Sequence, residues 1–260
     1  MKVAIVSLNS IWEDKEANLV SVERIVQLVS QKADYVIFPE MSLTGFSVSN
    51  LSLAEDFENS NSIQTIQILA KKYQINIVFG LMTFNGEQKY NSCIAVNASG
   101  EMVGSYEKIH LFSYSGEDDL ITGGSHLKNI DWEGGWGLSI CFDLRFPELY
   151  QELSKENLIL INIANWPKAR VAHWRTLLNA RAIENQSFMI GVNRTGIDGN
   201  GLEYEESSCV FSPMGEKVSP FETFEEVKIF DLNLGEATSY RQKFPIKKDR
   251  QTSIYRKFYS

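Results

Sequence analysis

An α/β fold, a sheet covered by helices, is predicted by two observations. Helical apolar stripes alternate with short apolar strands from residue 3 to about residue 243, and no repeat, low-complexity tract or Pro/Gly/Ser-rich linker interrupts them. The first strand spans residues 3–8, opening on Val3-Ala4-Ile5-Val6. Residues 16–33 read as a helix because Leu19, Ile25, Val26, Leu28 and Val29 fall on one stripe. Tyr35-Val36-Ile37-Phe38 is a short buried strand ended by Pro39. The pair then recurs: Ile63, Ile66, Leu69 and Ala70 mark a helix over 61–73, and a strand follows over 75–83. Residues 91–96 and 102–106 read as a hairpin around Asn97-Ala98-Ser99-Gly100. A polar, glycine-bearing loop is predicted over 113–125. Strands over 138–141, 158–163 and 188–193 are separated by helices over 147–154 and 171–186, with Pro147 at a first helical position where its missing N–H costs nothing. Residues 208–212, the turn Pro213-Met214-Gly215-Glu216 and residues 227–232 close the sheet, and a short helix covers 235–242.

The unbroken alternation makes residues 1–243 one domain. Residues 244–260, with Phe244, Ile254, Tyr255, Phe258 and Tyr259 among lysines and arginines, form a C-terminal strap that packs on its own domain or crosses to a partner subunit. Hydrophobic content of 43% and charged content of 22% fit a globular core and exclude a disordered chain. A net charge of −8 argues against nucleic acid, whose binding needs lysines and arginines to neutralise phosphates. The first apolar stretch is too short for a secretory signal, and no later run approaches the roughly 20 apolar residues of a membrane span, so a cytoplasmic protein without membrane contact is expected. Three widely spaced cysteines without a Cys-x-x-Cys pair fit a reducing compartment.

Three polar residues stand where apolar strands end: Glu40 after Phe38-Pro39, Lys108 after Tyr106-Glu107, and Cys141 after Leu138-Ser139-Ile140. Each alone has an ordinary explanation as a solvated charge or a small core thiol. Together they supply nucleophile, general base and oxyanion stabiliser, a set sufficient for acyl transfer. A thiol at a strand's carboxyl end, with the next N–H groups turning into a helix start, also has an anion-stabilising setting. Moving a proton from a thiol of pKa ~8.5 to a carboxylate of pKa ~4.3 is uphill by about 6 kcal/mol in water, so the site has to narrow that gap. Glu117, in the loop after Lys108, is a candidate second carboxylate for that purpose.

Phe38-Pro39-Glu40, Tyr106-Glu107-Lys108-Ile109-His110-Leu111-Phe112 and Cys141-Phe142-Asp143-Leu144-Arg145-Phe146-Pro147-Glu148 resemble the three motifs of the nitrilase superfamily, in that family's order and with comparable separations. Asn165-Trp166-Pro167 and Ala180-Arg181-Ala182-Ile183-Glu184-Asn185-Gln186 extend the likeness over nearly the whole chain. The resemblance implies a four-layer α-β-β-α sandwich, Cys141 as nucleophile, Glu40 as general base and later acid, Lys108 with the N–H after Cys141 as oxyanion stabiliser, and Glu117 as the family's second glutamate. It implies neither a metal nor an organic cofactor, and pairing into a homodimer through helices beside Cys141. Phe142-Asp143 after the cysteine is similar to the amidase branches, whereas nitrile-hydrolysing members usually carry Trp-Glu there. The bacterial omega-amidase branch is the nearest resemblance, and its implied substrates are monoamides of short dicarboxylic acids, notably 2-oxoglutaramate and 2-oxosuccinamate.

A carboxylated amide needs a cation, and Lys168 and Arg170 follow Trp166-Pro167; Arg170 is preferred because a guanidinium grips a carboxylate with two parallel bonds. Arg145 either anchors the Cys141 turn through Glu148 or another carboxylate, or touches substrate. Trp166 and Phe46 are candidate apolar pocket walls, and Phe142 is a candidate substrate-binding residue. His110, His126 and His173 form no zinc-binding spacing; His110 reads as a support for the turn, and His173 as a residue near the pocket. Gly196, Gly199 and Gly201 read as a connection between strands, not a phosphate loop. Two rivals stand beside the omega-amidase: another carbon–nitrogen hydrolase acting on an N-carbamoyl amine or aliphatic amide, and a non-catalytic binding module on the same scaffold.

Overall fold

A computed structural model describes residues 1–258, so Tyr259 of the tail lies outside the described residues. Along the chain run β1 (Lys2–Val6), α1 (Lys15–Val29), β2 (Tyr35–Ile37), α2 (Asn61–Tyr73), β3 (Asn76–Asn85), β4 (Gln88–Val96) and β5 (Met102–Glu107). They are followed by α3 (Glu117–Leu120), β6 (Trp136–Ile140), α4 (Pro147–Leu153), β7 (Ile159–Ala164), α5 (Val171–Asn185), β8 (Phe188–Asn193), β9 (Cys209–Phe211), β10 (Val227–Asp231) and α6 (Leu234–Lys243). One sheet has the order Glu222–Phe224, β10, β1, β2, β3, β4, β5; the other has the order β9, β8, β7, β6, Asn129–Ile130. The centre of each sheet is parallel: β1, β2 and β3 in the first, β6, β7 and β8 in the second.

Strand alternation builds the layers. Ala4 and Val6 of β1 pack with Val22, Ile25 and Val26 of α1 and Ile66 and Ala70 of α2. Val3 and Ile5, pointing the other way, pack with Leu138, Ile161 and Ile190 of the second sheet. That sheet's outer face receives Leu149, Tyr150 and Leu153 of α4 and Trp174 and Leu178 of α5. The result is the four-layer α-β-β-α sandwich expected from the resemblance. Each fully buried Ile, Leu or Val in it contributes roughly 1.5–3 kcal/mol of transfer free energy.

Two details depart from expectation. The hairpin over β4 and β5 is preceded by a longer one, because β3 and β4 pair down to Asn85 and Gln88. Gly86-Glu87 supplies the turn, and Gly86 takes φ +60, the sign a primed two-residue turn requires at its first position. The predicted loop over 113–125 also holds a helical turn, α3, so Glu117 is buried at a helix start. Residues 244–250 reach the second sheet's helix layer: Gln186 Nε2 donates to Phe244 O at 2.8 Å, and Lys247 donates to the Ser154 carbonyl at the end of α4, while residues 251–258 are exposed.

Candidate active site

The carboxyl ends of β2, β5, β6 and β7 point to one edge of the sandwich, and each is followed at once or within a few residues by a polar side chain. Ligands of open α/β sheets collect at this edge. After β6, Cys141 takes φ +44, a left-handed conformation that costs a residue bearing a Cβ roughly 1–2 kcal/mol. Asp143, wholly buried, holds the turn that pays it back: Oδ2 accepts from Ile140 N at 2.9 Å and from the Tyr106 hydroxyl at 2.8 Å. Its Oδ1 accepts from His110 N at 3.0 Å and lies 2.8 Å from His110 Nδ1, while the His110 ring stacks on Phe146 at 3.8 Å. From behind, Arg181 of α5 donates to the Leu144 carbonyl through Nε at 3.1 Å and Nη2 at 2.8 Å.

Glu40 ends the segment after β2, and the next residue, Met41, is also left-handed at φ +44. Gly80 of β3 passes beneath this turn; a Cβ there would stand 2.4 Å from Met41 N and 2.7 Å from Glu40 Cα. Lys108 follows β5, and its buried ammonium lies 3.0 Å from Glu40 Oε1 and 2.8 Å from Glu117 Oε2. Asn91 Nδ2 donates to Glu40 Oε1 at 2.7 Å and to Glu117 Oε1 at 3.0 Å. Asn165, just past β7, donates its backbone N–H to Glu40 Oε2 at 2.8 Å and its side-chain amide to the Glu40 carbonyl at 2.8 Å. Phe112 N closes the shell on Glu117 Oε2 at 2.6 Å. The Cys141 thiol lies 3.9 Å from the Asn165 carbonyl, so one residue touches both the thiol and Glu40.

Lys108 and Cys141 open into a cavity of about 370 Å³ whose walls include Phe46, Phe112, Phe142, Trp166, Arg145, Arg170 and Tyr204. The four residues predicted to bind substrate, Phe46, Phe142, Trp166 and Arg170, all line this cavity. Arg145 settles between its two readings: its guanidinium lies 4.9 Å from the Trp166 ring and 5.8 Å from the Phe142 ring, with no ion pair to any described carboxylate. Arg170 lies 5.7 Å from the Phe112 ring, likewise without a carboxylate partner among the described residues. Lys168 is exposed and spent on Glu203 at 2.8 Å, and His173 is exposed on α5 off the cavity wall. The glycine-bearing connection forms a small hairpin, Gly196–Ile197 with Glu203–Tyr204, that brings Asp198 and Tyr204 to the cavity; the Tyr204 hydroxyl donates to Asp198 Oδ2 at 2.8 Å.

The carbon–nitrogen hydrolase family model matches residues 2–242, almost the whole sandwich. The chain belongs to the carbon–nitrogen hydrolase family. It is 33% identical to a Staphylococcus aureus protein called hydrolase in agr operon, over 98% of this chain and 100% of that one. It is 32% identical to omega-amidase YafV of Escherichia coli K12, over 96% of each. Among solved structures, XC1258 of Xanthomonas campestris, a CN-hydrolase superfamily protein with an arsenic adduct in its active site, superposes with a TM-score of 0.90 at 27% identity, covering 96% of this chain and 97% of that one.

In this carbon–nitrogen hydrolase, burial and charge set the proton inventory. Burial alone would depress the Lys108 ammonium, but the Glu40 and Glu117 carboxylates outweigh it and hold Lys108 above its ordinary range. Burial pushes the Cys141 thiol up, Glu40 adds to that, and Lys108 opposes without reversing it; the thiol stands well above its ordinary value and is protonated at neutral pH. Burial, then the facing charge of Arg170, pulls Arg145 down. Sequence reasoning missed Asn91, Asp143 and the Asp198–Tyr204 pair and gave Asn165 no role. Asn91 sits inside a strand and carried no motif, whereas Asn165 followed an apolar strand just as Cys141 did and was legible by the same rule.

Proposed function

We propose that this hydrolase is an omega-amidase that releases ammonia from the monoamide of a short dicarboxylic acid, 2-oxoglutaramate or 2-oxosuccinamate, through a thioester on Cys141. The observation that carries the reading is the pair Arg145 and Arg170: two guanidiniums on the wall beside Cys141, each over an aromatic ring and free of ion pairs among the described residues. A carboxylate on the far end of the substrate supplies the missing anion, and a guanidinium binds it with two parallel bonds. The likeness to an omega-amidase supports the same choice.

In the proposed reaction Glu40 takes the thiol proton as sulfur attacks the amide carbon, which suits a thiol that is protonated at rest. Lys108 donates to Glu40 Oε1 and to both oxygens of Glu117, so one N–H turns from Glu117 to the developing oxyanion beside the N–H after Cys141. Glu117 holds Lys108 in place. Glu40 returns its proton to the departing ammonia, then activates the water that hydrolyses the thioester. Three free cysteines support a cytoplasmic setting. A homodimer is proposed through the exposed Ile183, Met214 and Phe244 near the end of α5, to be read by analytical ultracentrifugation.

The test is an ammonia-release panel: both oxo-monoamides, a neutral aliphatic amide of equal length, and an N-carbamoyl amine. The monoamides are expected to lead in kcat/KM, with an acyl adduct on Cys141 seen by mass spectrometry and no turnover in a folded Cys141→Ala variant. Preference for the neutral amide would replace the omega-amidase by a general aliphatic amidase, and turnover in Cys141→Ala would end the thioester route.

A further inference from the structure

We infer that Asn91 is a positioning residue for this reaction: its side-chain amide fixes both glutamates around Lys108 and so holds Glu40 in place as the proton acceptor. The inference rests on the reading of Glu40 as acceptor of the Cys141 proton. Asn91 is fully buried on β4, and its carbonyl accepts from Lys108 N at 2.9 Å, so one residue ties down the lysine's backbone and the carboxylates together. Its Nδ2 carries two hydrogens and meets Glu40 Oε1 at 2.7 Å and Glu117 Oε1 at 3.0 Å. The Lys108 ammonium meets the same two oxygens at 3.0 and 3.1 Å. Lys108 Nζ, Glu40 Oε1, Asn91 Nδ2 and Glu117 Oε1 therefore close a ring in which donors and acceptors alternate.

Two carboxylates on one ammonium leave a net negative charge in a buried place, and the amide is the neutral donor that bridges them. The cost is visible on the same side chain: Asn91 Oδ1 is buried and has no hydrogen-bond partner. Turning the amide over would aim Oδ1 at two carboxylate oxygens, so the present orientation is the one the surrounding charges dictate. When the Cys141 S–H bond breaks and an O–H bond forms on Glu40, Asn91 remains a donor toward that oxygen. Asn91 thereby keeps Glu40 in one geometry while it takes the thiol proton and passes it to the leaving ammonia.

The charged and titratable groups that face this amide are Glu40, Lys108 and Glu117, with Cys141 beyond them. The experiment compares wild type with Asn91→Leu and the smaller Asn91→Ser, using the amide turned over fastest in the panel above. Rates are normalised to active sites counted by Cys141 acylation, so any misfolded fraction drops out. Loss of a hydrogen bond to a charged group predicts a fall in kcat of about ten- to a hundredfold. KM is expected within about twofold of wild type in both variants, so that the loss falls on kcat. A merely structural asparagine would reduce the number of sites and leave kcat per site unchanged; an unchanged kcat per site with an intact Cys141 adduct overturns the assignment of Asn91 alone. Turnover without any Cys141 adduct in wild type overturns the thioester reading and this assignment with it.

Discussion

Two guanidiniums that share a cavity wall repel each other until an anion sits between them, and Arg145 already feels that repulsion from Arg170. Aromatic faces soften the cost: Trp166 and Phe142 lie near Arg145, and Phe112 near Arg170. The substrate carboxylate should therefore be bound largely through these two side chains. Arg170→Leu is expected to lower kcat/KM for an oxo-monoamide by roughly a hundredfold, mostly through KM, with little change for a neutral amide. Arg170→Lys should recover part of the loss, because it restores the charge without the planar fork. Equal losses on charged and neutral amides would show that Arg170 shapes the pocket and does not read the carboxylate. Sequence spacing brought out Arg170 because it follows an apolar strand and a proline. Arg145 stayed ambiguous because the next acidic residue in sequence, Glu148, offered an equally good local partner.

The strands that carry Glu40 and Cys141 were legible because each is a short apolar run that ends on a polar residue, and parallel strands put such ends on one edge, whereas the strand before Lys108 was legible as half of a hairpin. The α3 turn was not: four residues cannot display a helical period, and what fixes this turn is tertiary. Glu117 takes hydrogen bonds from Phe112 N, Lys108 and Asn91, partners from three other parts of the chain. The β3 strand shows the converse, a residue chosen for what it lacks. Gly80 leaves room for the Glu40–Met41 turn, whose backbone would meet a Cβ at 2.4 Å. Gly80→Ala should keep the sandwich but displace Glu40 from Lys108 and Asn165, and a shift of that kind at the base costs activity about a hundredfold or more. Circular dichroism and thermal melting, with turnover measured per titrated Cys141, test it. Near-normal turnover in a folded Gly80→Ala protein would mean the turn can move aside without consequence for Glu40.

At the scale of the whole molecule, the inter-sheet layer and the helix-covered faces bury groups that release protons readily only in the unfolded chain. Burial pushes Cys93 far above its ordinary 9.0, and Cys209 up to about 11. The same burial raises Tyr106, Tyr150 and Tyr204 above their ordinary 10.0. The sign follows from proton counts: above about pH 9 the unfolded chain loses these protons while the folded chain keeps them, so the unfolded state binds fewer and stability falls as pH rises. Below that pH the contribution is fully present. Lys247 acts oppositely, since burial and then Arg241 and Arg250 lower it to about 7. The unfolded chain holds that proton after the folded one has lost it, so stability gains between about pH 7 and 10. Lys247 is half-exposed and solvent weakens its effect, whereas Cys93 and Tyr150 are sealed. Two thiols and three phenols should therefore dominate, and the melting temperature should decline steadily from pH 9 to 11. Cys93→Ala should melt lower at pH 7, from the small cavity it leaves, yet lose less on the climb to pH 11 because one of the retained protons is gone. Parallel curves for the two proteins across that range would show that Cys93 titrates alike folded and unfolded, and that the layer between the sheets admits water the packing gives no room for.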